Sequence, residues 1–202
     1  MTKFKYLIDP GHGGKHQITG EYVTPGKRMV KDDVVFYEGV NNRLVAKELI
    51  EAFERKGISH DLVVDSWLDI PLRERTIKIN EAARHQKCIL ISIHSNGAGN
   101  GREWHSAKGN EVIIDPNASK TSREFADLLE QEIICNFHGV TKWRGVKEMN
   151  LHMTRESHCP AVLCEFGFHT NKDEVKLIQT DEWREKIIKS ICDAIDIFEM
   201  NA

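Results

Sequence analysis

Three short apolar runs constrain the fold of this chain most strongly, because each leads to a residue that can bind a metal ion or transfer a proton. The runs and those residues are 4–9 with His12, 88–93 with His94, and 161–164 with Glu165. Continuous apolar strands are typical of a parallel sheet that helices cover on both faces. Functional residues in such sheets lie beyond the carboxyl ends of the strands. The pattern therefore predicts that His12, His94 and Glu165 meet in one cleft.

Helical patterns separate these runs. Apolar residues recur at helical spacing over residues 40–56, and Gly57 follows where glycine commonly ends a helix. Pro71 predicts the first turn of a second helix, and Thr121 or Ser122 predicts the N-cap of a third. This alternation indicates an α/β fold with a mainly parallel sheet flanked by helices on both faces. Because no linker or repeat interrupts it, we expect a single domain that spans all 202 residues.

Two loops beside the predicted cleft are long enough to carry function. A polar stretch extends from the glycine-rich turn at His12 to about residue 33, and a loop of that length in a compact domain is commonly functional. A glycine-rich loop follows His94 over residues 95–110. Its Trp104 offers a large amphipathic surface. The residues that we expect to bind substrate in this region are Asn96, Trp104 and His105.

Composition excludes several classes of function. The net charge of -3 indicates neither nucleic acid nor an anionic membrane surface as a partner. No apolar run is long enough to cross a membrane. The five cysteines include no CxxC pair and do not indicate a disulfide framework. The first predicted strand begins near the first residue, so we expect no signal peptide and synthesis in the cytoplasm.

Two histidines and a carboxylate can form a zinc site. Catalytic zinc sites use three protein ligands and leave a fourth position for water. Glu38 is our choice for the third ligand beside His12 and His94, because it begins the helix that packs back on the first strand. Such a site keeps about one net positive charge, which lowers the pKa of bound water toward roughly 7. Glu165 would then be the general base and pass the proton to a leaving amine.

Each of these residues also has an ordinary structural explanation. The chain has 10 histidines, and a histidine is more often a surface or hydrogen-bonded residue than a ligand. Glu38 could be an acidic residue that the helix dipole stabilises in a first turn. Glu165 is harder to explain in this way, because burying a carboxylate at the end of an apolar strand costs free energy unless it has a partner.

Four motifs follow one another along the chain. They are Ile8-Asp9-Pro10-Gly11-His12-Gly13-Gly14, then Glu38, then Ser92-Ile93-His94-Ser95-Asn96, then Glu165-Phe166-Gly167-Phe168-His169-Thr170-Asn171 with Glu174 after it. In this order they resemble the zinc-dependent N-acetylmuramoyl-L-alanine amidases of the Amidase_3 type. The stretch Leu72-Arg73-Glu74-Arg75 is similar to a helix of that family. The resemblance covers nearly the whole chain.

The resemblance implies a peptidoglycan hydrolase that cuts the amide between the lactyl group of N-acetylmuramic acid and the L-alanine of the stem peptide. It implies one zinc ion per chain, with His12, Glu38 and His94 as ligands and Glu165 as the catalytic glutamate. No signal peptide or wall-binding module is recognised, and the loop after residue 97 does not match the short connection expected there. We therefore expect a phage or prophage endolysin, which reaches the wall after release, or part of a larger secreted protein.

Two other functions fit the same residues. A zinc peptidase or deacetylase of another α/β family would use the same metal and base on a different amide. A wall-binding or regulatory protein with an inactive site would keep the ligands, but it has no use for a general base. Cleavage of muramoyl-peptides, compared with unmodified peptides, separates the first alternative from the amidase.

Overall fold

A computed structural model describes residues 2–99 and 101–201 of the chain. The strands within these residues are β1 (Lys5–Pro10), β2 (Arg28–Lys31), β3 (Val34–Tyr37), β4 (His60–Leu62), β5 (Cys88–Asn96), β6 (Asn110–Ile114), β7 (Trp143–Glu148) and β8 (Ala161–Phe168). The helices are α1 (Glu38–Lys56), α2 (Leu72–His85), α3 (Lys120–Asn136), α4 (His152–Glu156), α5 (Glu174–Ile178) and α6 (Asp181–Asn201). None of these helices has the length and apolar content that a membrane crossing requires.

The central sheet has the strand order β4-β1-β5-β8-β6-β7, and β2 and β3 form a separate hairpin. β1 pairs in parallel with β4 and β5, and β5 pairs in parallel with β8. β6 runs antiparallel to β8, and β7 runs parallel to β6. The described residues of the connection from β5 to β6 contain no helix, and β6 starts at the carboxyl end of the sheet and runs back. The predicted α/β fold with a mainly parallel sheet is confirmed.

Helices cover the two faces of the sheet unequally. On one face, α1, α3 and α6 pack against a large core that includes Tyr6, Ile91 and Val162. On the other face, α2 and α4 pack against a smaller core that includes Leu90 and Ala161. Flanking helices on both faces explain why these strands are apolar throughout, because neither face is left to water.

The smaller core defines the face on which the candidate catalytic residues lie. Side chains alternate between the two faces along a strand. His94 and Glu165 follow Leu90 and Ala161 by even intervals, so they share the face of α2 and α4. His94 and Glu165 are also partners in the pairing of β5 with β8. The site therefore lies on this face, at the carboxyl ends of two adjacent parallel strands.

The predicted polar loop before α1 is partly a hairpin. β2 and β3 pair antiparallel around a turn in which Asp32 has a φ of 55°. Met29 and Phe36 are buried, whereas Val30 and Val35 are exposed. This alternation is a strand signal, but the polar composition of the stretch obscured it.

The helix ends agree with the sequence in one case and differ in another. Gly57 ends α1 with a left-handed φ of 68°, as predicted. Ser119 is the N-cap of α3, where its hydroxyl accepts a hydrogen bond from the Ser122 amide at 3.1 Å. The prediction of Thr121 or Ser122 is therefore wrong, because both lie inside the first turn of the helix.

Candidate metal centre and catalytic site

His12 lies on the tight turn that follows β1. Its backbone has a φ of 64°, a left-handed conformation that residues other than glycine rarely adopt. Arg75 holds this turn, because its guanidinium donates to the carbonyls of Pro10 at 2.8 Å and His12 at 2.9 Å. The same guanidinium donates to Asp9 Oδ1 at 2.7 Å, and both members of this ion pair are almost fully buried. The buried Arg75 therefore fixes the backbone that carries the His12 side chain.

His94 fits beside this turn because residue 11 is a glycine. A Cβ atom on Gly11 would lie 2.1 Å from the His94 ring. The rings of His12 and His94 are 4.9 Å apart between centroids and nearly perpendicular, at 89°. Two imidazoles from separate strand ends are thus held edge to face at one place.

Glu38 is the first residue of α1 and is only 2 % exposed. Gly39 lets the helix begin against the turn after β1, since a Cβ there would lie 1.9 Å from the Gly13 carbonyl oxygen. Glu38 Oε1 is 3.1 Å from both His12 Nε2 and His94 Nδ1. Burial alone would raise the pKa of Glu38, but the two histidines beside its carboxyl group hold it below its usual value. The buried group is therefore a carboxylate.

His12, Glu38 and His94 can hold a metal ion. Their potential ligand atoms all lie within 4.8 Å of one another, and ligands about 2.0–2.1 Å from a tetrahedral zinc ion are roughly 3.3 Å apart. His12 Nε2 is buried and has no partner in hydrogen-bond geometry within residues 2–99 and 101–201, although Glu38 Oε1 is 3.1 Å away. A nitrogen in this position fits an ion shared by all three residues better than it fits a pairwise hydrogen bond.

Glu165 lies beside this group on β8. Its Oε2 atom is buried and has no hydrogen-bond partner among the described residues. Burial raises the pKa of Glu165 to about 8; His94 opposes this shift, and the carboxylates of Glu38 and Glu111 add to it. A carboxyl group with a pKa near neutrality can both accept and release a proton during a reaction.

Glu111 on β6 is a buried carboxylate beside Glu165, and it is not among the site residues predicted from the sequence. The two residues are partners in the pairing of β6 with β8. Glu111 Oε1 accepts from Asn96 Nδ2 at 2.8 Å, and Oε2 accepts from Arg144 Nε at 2.6 Å and Lys147 Nζ at 2.5 Å. Burial would raise the pKa of Glu111, but these two cations hold it below its usual value. The sequence signal that could have identified Glu111 is a charged residue at the start of an apolar strand.

Trp104 and His105 line a cavity separate from that of the candidate ligands, whereas Asn96 donates to Glu111, the strand partner of Glu165. Trp104 Nε1 donates to Asp32 Oδ2 at 3.0 Å, which ties the loop after β5 to the β2–β3 hairpin. Trp104 and His105 line a cavity of about 450 Å³. His12 and His94 line a different cavity, of about 340 Å³. Trp104 therefore braces a loop, and the structure does not bring it to the cavity of the candidate ligands.

Glu174, just after β8, anchors the end of that loop. Its carboxylate accepts hydrogen bonds from the backbone amides of Gly109, at 3.0 and 3.1 Å, and Phe168, at 2.7 Å. It also accepts from the hydroxyl of Thr141. Because Gly109 precedes β6 and Phe168 ends β8, Glu174 sets the relative position of the two strands that carry the paired carboxylates.

The amino-acid sequence matches a family and several known proteins. The family described as N-acetylmuramoyl-L-alanine amidase (Amidase_3) matches residues 7–196. An uncharacterized cell wall amidase of Bacillus anthracis is 30% identical over 192 residues, which are 92% of this chain and 33% of that protein. The probable cell wall amidase LytH of Staphylococcus aureus is 26% identical over 95% of this chain and 57% of its own length. The chain thus spans about a third of the first relative and somewhat over half of the second.

The fold matches solved structures over nearly its whole length. The crystal structure of N-acetylmuramoyl-L-alanine amidase from Clostridium difficile 630 superposes with a TM-score of 0.81 at 27% identity, covering 98% of this chain and 97% of that chain. Ami1, an N-acetylmuramyl-L-alanine amidase from Mycobacterium smegmatis, has the same fold, with a TM-score of 0.78 at 18% identity and coverage of 100% and 99%.

Proposed function

This chain belongs to the N-acetylmuramoyl-L-alanine amidase family, and on that basis we propose that it hydrolyses the amide between the lactyl group of N-acetylmuramic acid and the L-alanine of the peptidoglycan stem peptide. The likeness to the Clostridium difficile amidase over nearly the full length of both chains supports the proposal. The observation that carries it is Glu165, whose buried carboxylate oxygen Oε2 has no partner among the described residues and lies beside a three-residue group suited to a metal ion.

The three-residue group would hold one zinc ion per chain. Two imidazole nitrogens, from His12 and His94, and one carboxylate oxygen, from Glu38, are a donor set that catalytic zinc sites use. When bound, zinc supplies a Lewis acid that polarises the amide carbonyl and lowers the pKa of water. The buried Nε2 of His12, to which no described residue makes a hydrogen bond, supports this assignment.

Glu165 would act first as general base and then as general acid. Its Oε2 takes a proton from the attacking water and delivers that proton to the nitrogen of the departing L-alanine, while the water oxygen becomes part of the new carboxylic acid on the lactyl group. The atom is free for this role because no described residue bonds to it. Burial raises the pKa of Glu165 to about 8, so the carboxyl group can keep the proton between the two steps at neutral pH.

Digestion of purified sacculi, followed by mass spectrometry of the soluble fragments, tests the proposal. We expect stem peptides that begin with a free L-alanine amine, together with muramic acid that carries a free lactyl carboxyl group. Cuts between two amino acids would instead indicate a peptidase, and loss of acetyl groups would indicate a deacetylase. A protein that binds zinc and sacculi but releases no fragment would be a wall-binding protein.

A matched variant links the activity to the site. Glu165→Gln keeps the size of the side chain but cannot accept the proton, so its preparation should release no fragments above background. Fragments at the wild-type level from that variant would assign the reaction to another base or to a contaminant. Release of the protein during lysis, as for an endolysin, stays a prediction from the sequence.

A further inference from the structure

Arg144 and Lys147 form a cationic pair on β7, next to the carboxylate that lies opposite Glu165. Both donate to the same oxygen, Glu111 Oε2, at 2.6 and 2.5 Å. The Glu111 side chain is 5% exposed, whereas Arg144 and Lys147 are 25% and 34% exposed. One carboxylate balances only one of the two cations. The cluster therefore presents about one excess positive charge at the surface.

The guanidinium of Arg144 is held in one orientation. It lies over the ring of Phe168, 4.7 Å from the ring centroid, while its Nε is bonded to Glu111. Its Nη1 has only a long contact of 3.5 Å with the carbonyl of Lys108, and its Nη2 makes no hydrogen bond among the described residues. A fixed guanidinium with free donors suits a carboxylate, because the planar fork matches the two oxygens of that group.

The pair lies on the substrate side of the sheet. Glu111 is the partner of Glu165 in the pairing of β6 with β8, so both carboxylates point to the same face. Adjacent strands are about 4.8 Å apart, which places β7 roughly 10 Å from the strand of Glu165. An extended peptide covers about 3.3–3.6 Å per residue. Two to three residues of a stem peptide would therefore reach from the cleaved amide to Arg144 and Lys147.

We propose that Arg144 and Lys147 bind a carboxylate of the stem peptide, on the second or third residue after the cleaved amide. This inference rests on the proposed amidase function and adds the preferred substrate, a stem peptide in which that carboxyl group is free rather than amidated. A purely structural role would need one cation to neutralise Glu111. The second cation, and the partial exposure of both on the face of Glu165, favour recognition of an anion.

Synthetic substrates that differ in one group test the proposal. The first pair is muramoyl dipeptides with a free carboxylate or a carboxamide on the second residue, and the second pair is muramoyl tripeptides that differ in the same way on the third residue. We expect kcat/KM to be about 10- to 100-fold higher for the carboxylate member of one pair, which is the effect of a hydrogen bond to a charged group. The pair that shows the preference identifies the carboxylate that is bound.

Variants show whether the cationic pair causes the preference. In Arg144→Gln and in Lys147→Gln, the ratio of kcat/KM for the carboxylate substrate to kcat/KM for the carboxamide substrate should fall toward one. We expect this change to come mainly from a higher KM for the carboxylate substrate. Arg123→Gln is the matched control, since it removes an exposed arginine that pairs with Glu148 outside the site and should keep the wild-type ratio. Arg144→Gln leaves the buried Glu111 with only one cation, which could destabilise the fold. The double variant Glu111→Gln/Arg144→Gln removes that carboxylate charge as well, and thermal melting of each variant checks that it is folded.

The outcomes separate this inference from the proposed function. A wild-type protein that cleaves carboxylate and carboxamide substrates equally, or a folded double variant that keeps the full preference, overturns the cationic subsite and leaves the amidase function standing. A wild-type protein that cleaves none of the muramoyl substrates overturns the proposed function itself. Calorimetric binding of the product dipeptide gives a second readout, and it should weaken about 10- to 100-fold in Arg144→Gln only for the carboxylate form.

Discussion

Replacing Arg75 by lysine should weaken both the fold and the metal site, although the positive charge is kept. Arg75 is 1% exposed and donates four hydrogen bonds, to Asp9 Oδ1 and to the carbonyls of Ile70, Pro10 and His12. A lysine ammonium could still reach the carboxylate of Asp9. It is a single point, however, and cannot reach three carbonyls that the planar guanidinium contacts in different directions.

The expected loss follows from the bonds that lysine cannot replace. Hydrogen bonds to a charged group contribute about 1.5–3 kcal/mol each, so loss of two of them corresponds to about 3–6 kcal/mol. Because the ammonium can keep the bond to Asp9, we expect Arg75→Lys to lower the free energy of unfolding by about 3 kcal/mol, at the lower end of this range. With an m-value of about 2 kcal/mol per M in urea, the midpoint falls by roughly 1.5 M. Zinc affinity should fall about 10- to 100-fold, as for other groups that orient a metal ligand.

Two measurements on the same protein separate these effects. Urea unfolding of the metal-free protein, followed by tryptophan fluorescence, gives the stability. Competition with a chromophoric chelator gives the zinc affinity of the folded protein. Arg73→Lys is the matched control, because Arg73 is an exposed arginine two positions earlier on the same helix. An exposed substitution of this kind should change stability by less than about 0.5 kcal/mol. If Arg75→Lys binds zinc and unfolds like the control, then Arg75 does not position His12.

Three further substitutions test the roles of glutamates in and around the candidate site. Glu165→Gln should keep one zinc per chain by elemental analysis and lose at least about a hundredfold in turnover, the lower range for general acid–base catalysis; a metal-free variant would contradict the assigned role. Glu38→Gln should lose zinc and activity together. Exhaustive chelation of the wild-type protein should abolish the release of fragments, and added zinc should restore it. Full activity of the metal-free protein would rule out a metal enzyme. Glu174→Gln should lower the urea midpoint and raise amide hydrogen exchange around Gly109, because a neutral amide accepts more weakly from the backbone N–H groups; unchanged exchange there would show that the loop is anchored by other contacts.

The meeting of His12 and His94 could be predicted from the sequence because it depends on one general property of parallel sheets. Strands that run in the same direction end at the same edge, so residues just beyond the strands become neighbours. Glu38 could be proposed for a similar reason, since the first turn of the helix after β1 returns to that edge. These predictions needed the direction of the strands but not their full order.

The position of Glu111 depends on strand order, which local patterns do not reveal. β6 follows β5 in sequence but lies beyond β8 in the sheet and runs antiparallel to it. Only this arrangement brings Glu111 opposite Glu165 and places Arg144 on the next strand. Trp104 shows the same limit, because its partner, Asp32, belongs to a hairpin that the polar composition of its sequence concealed.

The pairing of β5, β8 and β6 explains physically why Glu165, rather than its neighbours, is suited to proton transfer. Glu38 and Glu111 are buried beside it, and each of them has strong partners. Glu38 lies between two histidines, and Glu111 is bonded to two cations, so the pKa of each is lowered despite burial. Glu165 has an oxygen with no partner among the described residues, and its pKa is raised to about 8. A buried carboxylate oxygen without a partner costs free energy, and the proposed role in proton transfer would explain why that cost is kept.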